Sequence, residues 1–84
     1  MGIRMDTLAW PVRALVEAAL AGYAEWREGA DAVAHAYERW STAPPHESRV
    51  RYAAFTAALD QEQTAAGAYA HAIRRLERAL PPAD

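Results

Sequence analysis

"YERWSTAPPHESRVRY", residues 37–52, decides the fold. A helical pattern runs into Trp40, halts at Pro44 and Pro45, and a second pattern begins at once. Adjacent prolines remove two amide donors and push the preceding residue into extended backbone, so no helix runs through them. Pro45 is suited to the first position of a new helix, and Glu47 in its first turn complements the helix dipole. The "STAPP" connector is short enough to force the two helices antiparallel.

Upstream, Leu8, Val12, Leu15, Ala19, Gly22, Trp26, Gly29, Val33, Ala36 and Trp40 recur at steps of four and three. Glu17, Glu28, Asp31, His35 and Glu38 occupy the opposite side. The spacing predicts an amphipathic helix over about residues 8–41, roughly 50 Å long at 1.5 Å per residue. Asp6 or Thr7 is placed to cap it, and Pro11 falls in or near its first turn, where amides lack helical acceptors. After a turn at about 42–44, Tyr52, Phe55, Leu59, Glu62, Ala66, Tyr69, Ile73, Leu76 and Leu80 mark a second helix over about 45–80. Pro81 and Pro82 stop it, with Arg74, Arg75 and Arg78 near its negative end. No strand-like alternation occurs, so the chain reads as all-α: one antiparallel helical hairpin spanning residues 1–84.

Size matching across the hairpin gives a register in which facing residue numbers total about 88. Leu15 then meets Ile73, Gly22 meets Ala66, Gly29 meets Leu59, Ala36 meets Tyr52 and Leu8 meets Leu80. A second row sets Val12 against Leu76, Ala19 against Tyr69 and Val33 against Phe55. Large side chains meet small ones along most of the seam, as close packing demands. Beside the seam run Val16, Tyr23, Ala30 and Tyr37 on the first helix, and Ala58, Ala65, Ala72 and Ala79 on the second. One facing helix cannot cover an apolar surface that wide. Two helices of an 84-residue chain also enclose little core. The hairpin is therefore expected to pair with another copy, as a homodimer forming a four-helix bundle, or with another helical protein. Val16, Tyr23, Trp26, Tyr37, Trp40, Ala58, Ala65 and Ala72 are the expected interface residues.

Composition narrows the function. Cysteine is absent, which removes disulfides and thiolate metal sites. The formal net charge of -2 supplies no global attraction to nucleic acid or anionic lipid. The start, "MGIRMDTLAW", lacks a basic region followed by an apolar core, and "ALVEAALAGYA" is too short and too polar to span a bilayer. These features predict a cytoplasmic protein without a membrane partner.

Chemistry-bearing residues are sparse. Glu62 interrupts the apolar row between Phe55 and Tyr69, opposite Trp26. Its carboxylate is expected to take the Trp26 indole N–H, pair with Arg27 or reach water at the seam's edge; a ligand or proton site at mid-bundle is the sharper alternative. Asp31 and His35, one turn apart, are candidate metal ligands with Glu62. However, the Glu-x-x-His pair of di-iron bundles is missing, and the Asp31–His35 stripe points away from the seam. Ser41, Ser48 and His46 cluster at the turn, where the fixed geometry and oxyanion site of nucleophilic catalysis are not expected. Gly22 and Gly29 read as packing glycines rather than as a phosphate loop. No catalytic residue, cofactor site or nucleic-acid partner is assigned.

The segment "AYERWSTAPPHESRVRYAAFTAALDQEQTAAGAYA", residues 36–70, resembles a pattern in small actinobacterial helical-hairpin proteins: a Trp before a short loop, then an "AALD" run and an acidic-Ala stretch. Twenty-two alanines, nine arginines and no lysine accord with the codon usage of such a high-GC source. Size and hairpin topology are also similar to the WXG100-like family, whose hairpins dimerise and are secreted. Here Trp40 is followed by Ser41 and Thr42 instead of x-Gly, and Ile73 stands where an export signal starting at Tyr69 needs an acid. The resemblance implies pairing of hairpins, while those departures remove the two motifs on which secretion by that family's route rests.

The expectation is a non-enzymatic interaction or assembly module. The alternatives are a metal- or small-ligand-binding bundle centred on Glu62 with Trp26 and Tyr69, and an adaptor subunit of a larger enzyme or secretion complex.

Overall fold

The structure, a computed structural model, describes residues 10–81. Helix α1 spans Trp10–Ser41, a single 3-10 turn spans Pro45–Glu47, and α2 spans Ser48–Ala79. The caps expected at Asp6 and Thr7, the Leu8–Leu80 pair and the stop at Pro82 involve residues outside the described ones.

The turn is built by side-chain hydroxyls and prolines. Ser41 and Thr42 hydroxyls donate back to the Glu38 carbonyl at 3.0 and 2.9 Å, and the Thr42 and Ala43 amides donate to the carbonyls of Glu38 and Trp40. They satisfy carbonyls that a helix end leaves without partners. No described residue has a positive φ, so α1 ends without a left-handed glycine. Pro44 is extended (φ −66°, ψ 157°), as a residue before proline must be. The Glu47 amide then closes on the Pro44 carbonyl at 2.9 Å. The second helix thus opens as a 3-10 turn at Pro45 and becomes α-helical only at Ser48. At its far end Leu80 turns extended (φ −90°, ψ 148°) ahead of Pro81, while its amide still donates to the Leu76 carbonyl.

The two helices pack along their length, and two glycines fix how. A Cβ on Gly22 would stand 3.3 Å from the Cα of Tyr69, and one on Gly29 would stand 3.2 Å from the Cα of Glu62. The backbones touch at these points, and each pair of numbers totals 91. This corrects the register of about 88. Gly22 faces Tyr69 rather than Ala66, and Gly29 faces Glu62 rather than Leu59. Three residues turn a helix through about 300°, so the slip rotates the buried stripe of α2 by about 60°.

The consequences are visible in burial. Ala58, expected on the outer lane, is buried in the seam together with Ala19; no other described residue is buried. Tyr52 and Leu59, expected inside, are exposed. The chain is a rod of 58 × 22 × 19 Å with a radius of gyration of 18.2 Å. A compact domain of this length has a radius of about 12 Å.

Candidate interaction site

Two aromatic clasps hold one side of the hairpin, and they share one design. In each, a Tyr and a Trp stand three residues apart on α1 and grip one ring of α2. Tyr23 meets Tyr69 edge-on at 5.7 Å, and Trp26 stacks on Tyr69 at 5.8 Å with the planes 12° apart. Fourteen residues on, Tyr37 meets Phe55 edge-on at 5.7 Å, and Trp40 stacks on Phe55 at 5.5 Å with planes 15° apart. Fourteen residues are two heptads, close to four helical turns, so the second clasp falls on nearly the same side as the first. Offset and edge-to-face contacts of this kind add to the area that they bury.

The clasps differ in their fourth member. At mid-hairpin the Trp26 indole N–H donates to a Glu62 carboxylate oxygen at 2.8 Å. The expected partnership of the odd acid on the apolar row is therefore present, with Trp26 rather than Arg27 as donor. Gly29 makes it possible, because Glu62 can press against α1 only where no Cβ intervenes. At the turn end the fourth member is a ring: Tyr52 lies 5.0 Å from Trp40 and 6.4 Å from Phe55.

Neither clasp closes over its own surface. Tyr23, Tyr37, Tyr52 and Leu59 all remain exposed, Tyr37 at 53% and Tyr52 at 49%. Trp26, Trp40 and Val16 are half-buried. The open side is therefore lined by Val16, Tyr23, Ala30 and Tyr37 from α1, and by Tyr52 and Leu59 from α2. Ala65 and Ala72, expected to border this surface, do not complete it. Ala65 lines a separate open groove with Glu25, Asp60 and Thr64, and Ala72 is half-buried one heptad further along the same lane. Sequence reasoning assigned Tyr52 and Leu59 to the seam. The signal that would have placed them outside is the glycine pair, Gly22 and Gly29, which marks the line of closest approach.

The metal candidates are not brought together. Asp31 and His35 are exposed on the outer side of α1 with Glu38, whereas Glu62 is held in the mid-hairpin clasp. Among the described residues no group of three or more His, Asp and Glu side chains is gathered as a metal site. At the turn, His46 is exposed, and the Ser41 hydroxyl is engaged with the Glu38 carbonyl. Among the described residues no helix is long and apolar enough to cross a membrane.

No family model, curated protein or solved structure matches this chain.

Proposed function

We propose that this protein is a non-enzymatic interaction and assembly module whose aromatic side packs against a second copy, making a four-helix bundle. The supporting observation is surface area. A folded monomer of 9.2 kDa is expected to expose about 4,900 Å², and this chain exposes 6586 Å². Two separate copies expose about 13,200 Å², twice the single value, whereas one folded protein of twice the mass exposes about 8,200 Å². Covering even half of that difference puts the interface in the range of stable dimers. The surface to be covered is aromatic and aliphatic, with each fully covered large side chain contributing on the order of 1.5–3 kcal/mol.

The test is association by sedimentation or light scattering. Tyr23→Glu places a charge in the middle of the proposed interface and should weaken association at least a hundredfold; Glu28→Lys, on the outer side of α1, should change it less than threefold. Equal and negligible effects would remove the aromatic side as the docking surface. A heterologous helical partner on this same side, as an adaptor would use, predicts instead a chain that stays monomeric alone.

A further inference from the structure

We infer, taking the proposed pairing as given, that the second copy docks with its turn at the same end of the bundle, on a two-fold axis running along the rod. Such an axis preserves height along the rod. Each residue of α1 then faces residues of the second copy's α2 at its own level, those whose numbers total near the hairpin's own 91. The lanes on the open side meet this condition, with Tyr23, Tyr37, Tyr52 and Leu59 exposed and Val16, Ala30, Ala66 and Ile73 half-buried. Val16 stands opposite Ile73 of the second copy, Tyr23 opposite Ala66, Ala30 opposite Leu59, and Tyr37 opposite Tyr52. Every pair totals 89, an offset of about 3 Å in height at 1.5 Å per residue. Large faces small through the middle, where a ring needs room, and two half-exposed tyrosines meet at the turn end.

The polar borders agree. Just outside these lanes, Arg13 stands level with Glu77 of the second copy and Arg27 level with Gln63, each pair totalling 90. An opposite charge and an amide thus meet the two arginines, and the symmetry writes each pairing twice. The reversed arrangement, turns at opposite ends, lays α1 on α1. It preserves some size matching, Tyr23 on Ala30 and Val16 on Tyr37, but these pairs total 53 and so set Arg27 beside Arg27 of the second copy at the centre. That like-charge contact selects against it.

The absence of cysteine makes the arrangement directly measurable. A spin label on His46→Cys, exposed at the turn, reads the distance between the two turns by pulsed dipolar spectroscopy. Turns together give about 20–30 Å, from an interaxial spacing of about 10 Å plus the label arms. Turns apart give a distance approaching the 58 Å length of the rod. As a second reading, Arg13→Glu and Glu77→Arg should each weaken self-association about five- to twentyfold, with the equimolar mixture recovering most of the loss. The short distance with charge-swap recovery is the expected result. A long distance at dimeric molar mass overturns the alignment while leaving the pairing intact. A dimer in which neither charge variant matters also overturns it. Monomeric mass with no dipolar signal removes the pairing itself.

Discussion

The two clasps are near copies set two heptads apart, yet they solve different problems. At mid-hairpin, a half-buried carboxylate anchors the Trp26 indole at 2.8 Å, and the helix backbones touch at Gly22 and Gly29. At the turn end, position 48, two heptads before Glu62, is Ser48, and a ring from Tyr52 takes the fourth place instead. The middle is thus fixed by a directional bond and by contact that tolerates no added atom. The turn end is held by ring packing alone, with the chain reversal close by to limit its freedom. A directional bond lets one register win over its neighbours, because a slip leaves a polar group without its partner. Ring packing adapts more readily, which suits the end that presents the most exposed tyrosine surface, Tyr37 and Tyr52.

The sharpest way to break this contrast is to remove each tryptophan in turn. Trp26→Ala should destabilise by about 3–4 kcal/mol, from lost packing plus a Glu62 carboxylate deprived of its donor. Trp40→Ala should cost about 2 kcal/mol, since Phe55, Tyr37 and Tyr52 can close on one another. Urea melts at matched protein concentration give both values, and equal losses would erase the distinction. Next come the glycines. Gly29→Ala adds a methyl group 3.2 Å from backbone, where no side-chain movement can relieve it, and should cost about 1–2 kcal/mol despite the better helix propensity of alanine. Gly67, with open space where its Cβ would stand, should do the reverse: Gly67→Ala stabilises by about 0.5–1 kcal/mol. A stabilising Gly29→Ala would mean that the backbones do not touch there.

The carboxylate gives small effects and the finest distinction. Glu62→Gln keeps an oxygen acceptor for the indole N–H and should leave the melt within about 0.5 kcal/mol. Glu62→Leu removes the acceptor and should cost about 1 kcal/mol while loosening the register. If Glu62→Leu instead stabilised the chain and left its association unchanged, the anchoring role would be lost.

Much of this architecture was legible in the residues. The double proline marked the reversal, the three- and four-residue spacing marked both helices, and an acid on an apolar row opposite a tryptophan marked the Trp26–Glu62 bond. The register was not legible from size matching, because large-to-small pairing is nearly as good at a total of 88 as at 91. The decisive quantity is how closely two backbones approach, and it lies in the positions of Gly22 and Gly29 relative to Tyr69 and Glu62 rather than in side-chain volume. That three-residue slip exchanged the roles of two lanes. It carried Ala58 into the seam and turned Tyr52 and Leu59 outward. The width of the apolar surface was readable from the sequence; which residues form its α2 half was not.

Pairing of two copies through the aromatic side is the proposal from which the rest follows. Multi-angle light scattering on the purified chain tests it most directly. Pairing gives a molar mass near 18 kDa, twice the 9.2 kDa of one chain, falling to the single value in Tyr23→Glu. A native chain that remains at 9.2 kDa up to millimolar concentration would contradict it.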